Sequence, residues 1–296
     1  FTKPRQCAGV LCFSGVSPWV LLEPRPYSKG VLENPRSPRV RQVAKLAKKQ
    51  RRREAQLFLV EGPQAVREAL SSASGSIQEL FVTASSAEKH PEVMELAARA
   101  GVEVFHATDE VLAAMCDTVT PQGVLGVCRF IDSSLSEVLV PGVRNVAVLH
   151  EVKDPGNVGN IVRSADAAGA DAVILTEASV DIYNPKAVRA TTGSLFHLPV
   201  VMGIPFSEAL LALRGAGLRT CATQANGTDI NELAESGTLA QPTAWIFGNE
   251  AHGLAAEEAA QADIRVAVPL YGQAESLSLQ TAAALCLYQT AFAQQR

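Results

Sequence analysis

The sequence predicts an α/β protein built as two successive domains, on three observations. At 296 residues with 47% hydrophobic content, the chain can bury two cores. Short strand-like apolar runs alternate with helical segments from about Leu57 to the C-terminus. In the second half those runs are almost continuously apolar, as strands of a parallel sheet covered on both faces are.

Residues 1–33 show no periodicity and are expected to form an irregular leader. Its apolar patch (Val16, Trp19–Leu22) is interrupted by Pro18, which argues against a signal peptide. No run in the chain approaches the roughly 20 apolar residues of a membrane span, and a cytoplasmic protein is expected. Net charge is −4, unevenly spread. Residues 1–53 carry 13 Lys and Arg against 2 acidic residues, and the remainder carries 13 against 28. A basic arm on an acidic body suits an anionic partner docking at the arm, although charge alone also fits a solubilising tail.

Ser37-Pro38 reads as an N-cap with proline at the first helical position. Behind it Val40, Val43, Ala44 and Ala47 form one apolar stripe. The spacing predicts an amphipathic helix with Arg39, Arg41, Lys45, Lys48, Lys49, Arg51, Arg52 and Arg53 turned to solvent, where they could meet phosphates. Strands are expected at 57–60, 80–82, 102–105 and 124–128, with helices at Gln64–Leu70, Glu92–Ala100 and Asp109–Met115 between them. These make a first domain over 34–131. The polar, Pro-Gly-containing stretch 132–144 reads as a linker. The second domain, 145–296, has strands at 146–149, 172–176, 218–223, 244–248 and 264–268, and helices at Val158–Ala168, Phe206–Arg214 and Leu277–Ala293. The six cysteines and five histidines fall in no ligand pattern, so reduced thiols and no metal are expected.

Three segments carry chemistry. In DPGNVGNIVRSADAAG (154–169), Pro155-Gly156 is read as a turn and Asn157 as the cap of the next helix, with Asn160 and Arg163 on one face. Taken alone, that pair reads equally as a cap and a surface cation. GNEAHGL (248–254) follows an apolar strand, at the carboxyl end where parallel sheets bind ligands, and places Glu250 at a pocket rim. His252 is read as an ordinary loop residue. In VPLYGQAESLSLQTAAAL (268–285) Pro269 ends a strand, Gly272 permits a tight loop, and Ser276 precedes a helix rich in small residues. No P-loop or dinucleotide fingerprint is present.

Together these segments resemble the SpoU (TrmH) family of RNA ribose 2′-O-methyltransferases in the SPOUT superfamily. The family's N-x-G-x-I-x-R run is met by Asn157, Gly159, Ile161 and Arg163. Its G-x-E-x-x-G-L motif is met by Gly248, Glu250, Gly253 and Leu254. Its third motif is met by Pro269, Gly272, Ser276 and Leu277, with Ser278 where the family has asparagine. Residues 181–199 are similar to the family's connecting segment. The first domain resembles the L30e-like (ribosomal-protein-L30-like) RNA-binding domain.

The resemblance implies an α/β-knot catalytic domain with a deep trefoil knot and S-adenosylmethionine as cofactor. It implies a homodimer with the site completed across the interface. It places Gly248, Asn249, Val268, Leu277 and Ser278 at the cofactor, and Arg163, Asn157, Glu250 and Ser276 in the chemistry. The substrate it implies is 23S rRNA, with tRNA as the alternative; a non-catalytic RNA-binding protein of the same fold is the alternative from another class. The 18 Arg against 8 Lys suggest a GC-rich genome. Relatives of that background include antibiotic-resistance methyltransferases as well as housekeeping ones, and both roles stay open.

Overall fold

The computed structural model describes residues 30–295. Most of the expected leader lies outside the described residues, but its last part does not: Leu32 donates its N–H to His106 O (2.8 Å) and pairs with Ala107. From Val31 onward the chain forms one compact unit.

The first part of that unit holds β1 (Leu57–Glu61), β2 (Ile77–Val82), β3 (Glu103–His106) and β4 (Val124–Arg129), in the order β1-β4-β2-β3. Only β2 and β3 run parallel. Around this sheet lie α1 (Pro38–Ala44), α2 (Lys49–Ala55), α3 (Pro63–Ser72), α4 (Ala84–Lys89), α5 (Pro91–Ala100) and α6 (Asp109–Met115).

The basic segment departs from the expected single helix. Ser37 caps α1 through its hydroxyl, as expected, but a short 3₁₀ turn over Lys45–Ala47 and extended backbone at Lys48 separate α1 from α2. The break rotates the second half of the arm, so Leu46, Arg52 and Ala55 become the buried residues there, while Ala44 and Ala47 are only half-buried. Arg52 was expected in solvent and is 1% exposed.

The second part holds β5 (Asn145–Leu149), β6 (Ala172–Thr176), β7 (Val200–Ile204), β8 (Arg219–Asp229), β9 (Thr243–Phe247) and β10 (Ile264–Ala267), all pairs parallel, in the order β10-β8-β9-β5-β6-β7. Its helices are α7 (Leu135–Val138), α8 (Pro155–Ala167), α9 (Pro185–Thr191), α10 (Phe206–Gly215), α11 (Ile230–Glu235), α12 (Ala256–Ala259) and α13 (Leu279–Gln294). Alternate residues of β5 enter two separate apolar layers, Ala147 and Leu149 on one face and Val146 and Val148 on the other. This two-sided burial is why the strands read as continuous apolar runs.

The stretch 132–144 is structured. A capping box at Ser134 and Glu137 starts α7, whose Val138 is buried in one of those layers. The two parts share a dense seam. Arg52 donates to Asp181 (2.7 Å) and to the carbonyls of Leu46 (2.9 Å) and Ala47 (2.7 Å). Tyr183 stacks on Phe130 with ring centres 4.0 Å apart and donates its hydroxyl to Asp132 (2.9 Å). Burial and the nearby Asp132 carboxylate push the Tyr183 pKa up.

Candidate active site

The carboxyl ends of all six parallel strands lie along one edge. The chain leaves β5 toward β6 and β7, whereas β8, β9 and β10 lie on the other side of β5. The β5/β9 boundary is therefore the topological switch point, where open α/β sheets bind ligands. The first two motif loops leave β5 and β9 here, and the third leaves β10 along the same edge.

The β5 loop enters α8. Asp154, not Asn157, is the N-cap: its carboxylate accepts the Asn157 N–H (2.9 Å), and Pro155 and Gly156 are the first helical residues rather than a turn. A hydrogen bond from Lys186 (2.9 Å) and the Asn157 N–H hold the Asp154 carboxyl below its usual range. Asn157, freed from capping, donates its amide to Glu250 (3.2 Å). Two residues further on, a Cβ at Gly159 would lie 2.4 Å from Ala187 O, so glycine permits the close crossing of α8 and α9.

The β9 loop turns back on itself. Asn249 and Gly253 exchange both main-chain hydrogen bonds (3.1 and 2.9 Å), and a Cβ at Gly248 would lie 2.4 Å from the Gly253 carbonyl carbon. Glu250 ties this loop to the first. Its carboxylate accepts the N–H groups of Lys153 (3.1 Å) and Asp154 (2.9 Å) as well as the Asn157 amide. Partial burial raises its pKa, but these donors outweigh that and hold it below the usual value. Asn249 donates to Glu151 O (3.0 Å), fixing a residue at φ 55°.

Two residues that the sequence reading left without a role complete the frame. His150 is buried between Thr176 (3.1 Å) and Glu258 (2.9 Å), which pins the start of the β5 loop to α12. Glu258 is 108 residues away in sequence, so no local spacing signals the pair.

The third loop, 268–278, is mostly exposed. Ser276 makes no hydrogen bond among the described residues. The expected helix start at Leu277 moves to Leu279, because the Ser278 hydroxyl is the N-cap, accepting from Thr281 N (3.3 Å). Gly272 meets no steric demand: a Cβ there finds open space. Gly248 is buried, Val268 and Leu277 are half-buried, and their main-chain groups join no backbone hydrogen bond among the described residues.

Arg163 is exposed on α8 and has no ion-pair or hydrogen-bond partner among the described residues. With Asn160, Gln280 and Tyr288 it lines an open groove of about 490 Å³ between α8 and α13. Asn160 donates to Gln280 across it (2.6 Å). The structure thus joins Asn157 to Glu250 directly, while no bond links Arg163 or Ser276 to them. In the basic arm Arg41, Lys45, Lys48, Arg51 and Arg53 are exposed, and Arg39 is half-buried and pairs with Glu79. Among the described residues there is no group of three or more His, Cys, Asp or Glu able to hold a metal. No described helix is long and apolar enough to cross a membrane.

An all-parallel α/β layer with its polar loops at the switch point, joined to a smaller mixed-sheet domain, defines a two-domain α/β architecture. Residues 144–288 match the SpoU rRNA Methylase family, and residues 37–126 match the MRM3-like substrate binding domain. The chain is 34% identical over 258 residues to 23S rRNA (guanosine(2553)-2′-O)-methyltransferase RlmP of Bacillus subtilis, a match covering 87% of this chain and 97% of that protein. Among solved structures it is similar to an AdoMet-bound rRNA methyltransferase from Sinorhizobium meliloti, with TM-score 0.74, 30% identity and coverage of 88% and 97%. It is also similar to the SpoU methyltransferase AviRb from Streptomyces viridochromogenes in complex with AdoMet, with TM-score 0.76, 28% identity and coverage of 87% and 98%. The chain belongs to the SpoU methylase family.

Proposed function

We propose that this protein transfers a methyl group from S-adenosylmethionine to a ribose 2′-OH of 23S rRNA. The observation that carries the reading is the Glu250 junction. One carboxylate locks the first two family motifs together at the switch point, and Arg163, further along α8, has no partner among the described residues. The cofactor fits the loops. Gly248, Val268 and Leu277 present main-chain groups that find no backbone partner, and such groups call for one when covered. Asn249 and Ser278 flank them. When bound, S-adenosylmethionine supplies a methyl already activated as a sulfonium, which is in keeping with a site that needs no metal.

What remains is to orient the 2′-OH and remove its proton. Arg163 does not act as the base, because a guanidinium keeps its proton in proteins. Its free guanidinium holds the target phosphate and the developing alkoxide, and the proton leaves toward that phosphate. Asn157 and Glu250 fix the loop that starts α8, and Ser276, without a hydrogen-bond partner among the described residues, hydrogen-bonds the nucleotide. The exposed Arg41, Lys45, Lys48, Arg51 and Arg53 contact the RNA backbone from the 34–131 domain.

Leu285, Tyr288 and Phe292 are exposed on α13 beside the Arg163 groove, which supports a homodimer packed there, with Arg163 serving the partner's site. The trefoil knot is proposed from the resemblance to the SpoU family. Ribosome-bearing cytoplasm is the place of action, and the position of the modified nucleotide decides between housekeeping and drug resistance. The test is transfer from methyl-labelled S-adenosylmethionine to 23S rRNA and to tRNA, followed by mapping of the modified nucleotide. One 2′-O-methylated site in 23S rRNA is expected. Label in tRNA alone contradicts the substrate, and no transfer together with no cofactor binding contradicts the enzyme.

A further inference from the structure

At the far end of α9 from the motif loops, a cleft of about 330 Å³ opens between the two domains. It falls at the lower end of the roughly 300–1,000 Å³ typical of small-ligand sites. Its wall is held by a three-way network. Glu61 accepts the N–H groups of Asp117 (2.8 Å) and Thr118 (3.2 Å) and a bond from Arg189 (3.1 Å), and Arg189 also pairs with Asp117 (3.0 Å). Two carboxylates already match this arginine, so the cleft does not suit a phosphate. Burial, then the Glu61 carboxylate, pushes the Cys116 thiol up to about 12, so it stays protonated and is no nucleophile.

The rim is different in kind. Gln64, Thr120 and Gln122 are exposed, and their side chains make no hydrogen bond among the described residues. Gln122 reaches over Gly62, whose φ of +95° and missing Cβ let the amide lie there. On the same loop Val119 lies between the lining residues Thr118 and Thr120, just outside the cleft, and is 96% exposed among the described residues. Neutral groups that both donate and accept match the edge of a base, and bare apolar surface matches its face. Proteins read RNA sequence mainly through bases lifted out of their stacks.

We propose that this cleft seats an unstacked nucleobase of the RNA substrate near the nucleotide that is methylated. The proposal rests on the reading of the chain as an RNA methyltransferase. Geometry ties the cleft to the catalytic loops through one short helix. Lys186 in the first turn of α9 pairs with Asp154 at the start of α8, and Arg189 in its last turn builds the cleft wall. Seven residues of helix span roughly 10 Å, so a base held in the cleft fixes the RNA within a few nucleotides of the motif loops.

The test uses an in-vitro 23S rRNA transcript, the Gln64→Ala/Gln122→Ala double variant and the cleft-filling Thr120→Trp variant. All three positions are exposed, so the thermal midpoint should not move. Transcript Kd and KM should rise about tenfold in both variants, with kcat within about twofold and S-adenosylmethionine affinity unchanged. Chemical footprinting of the wild-type complex should show one unpaired base protected near the modified nucleotide, with protection lost in the double variant. Wild-type transcript affinity in both variants overturns the proposal. A wild-type protein that binds the transcript without methylating it contradicts the proposed function, while the binding comparison still decides the cleft. A wild-type protein that does not bind RNA defeats both.

Discussion

The seam between the two domains and the loops at the switch point are both organised by charged side chains, but in opposite ways. At the seam Arg52 is buried and Asp181 half-buried, and all three guanidinium nitrogens donate within the protein. At the site Glu250 is exposed and spends its charge on main-chain N–H groups of another loop, and Arg163 has no partner among the described residues. The seam closes its polar groups and becomes rigid, whereas the site fixes its backbone and leaves donors open to a ligand. A buried charge with a full set of partners is framework, and an unpaired one on a fixed backbone is available for chemistry.

Breaking the seam should have the largest effect on stability. Arg52→Ala leaves the Asp181 side chain, only 9% exposed, without its cation and should cost about 3–5 kcal/mol in denaturant unfolding. Lys48→Ala with Arg53→Ala, on the same arm but exposed, should leave stability unchanged. That pair should weaken RNA binding and lower the salt slope by about one per residue removed. An RNA defect in Arg52→Ala with normal stability would invert the comparison. On the other side, Glu250→Ala frees three donors and should reduce kcat/KM by about 1.5–3 kcal/mol, read in steady-state kinetics, with little change in global stability.

Ser278 sharpens the contrast between loop and helix. Its hydroxyl caps α13, and asparagine caps equally well, so Ser278→Asn should shift stability by less than about 0.5 kcal/mol while Ser278→Ala costs about 1. The smallest effect belongs to His197, which bridges Asp166 (2.9 Å) and Glu68 (3.2 Å) across the seam. The Asp166 hydrogen bond leads in raising its pKa, with Glu68 adding to it against partial desolvation. A raised folded pKa stabilises fully below the unfolded value near 6.5 and is lost as pH rises through the folded one. Solvent screening keeps the gain under about 1 kcal/mol. His197→Ala should therefore destabilise the protein slightly at pH 5.5 and hardly at pH 9.

The sequence announces the strands of the parallel sheet because burial on both faces leaves an unbroken apolar run. It announces the glycines of the second motif because Gly248 must pass against Gly253. The cap of α8 is legible in the sequence at Asp154 rather than at Asn157, because Asp154-Pro155 repeats the pattern of Ser37-Pro38, as Asn184-Pro185 does for α9. Other features had no local signal. Which arginine of the run 51–53 turns inward is set by Asp181, 129 residues away, and the partners of Glu250 lie 93 to 97 residues before it. The Val200–Ile204 strand carries no such signal, because five residues ending in Met-Gly-Ile have too little periodicity.

The most direct measurement compares wild type with Arg163→Ala for methyl transfer to 23S rRNA and for S-adenosylmethionine binding by calorimetry. If the unpaired arginine holds the phosphate and alkoxide, transfer falls by about a thousandfold or more, some 4 kcal/mol, with cofactor affinity unchanged. Near-normal transfer by Arg163→Ala would contradict the account.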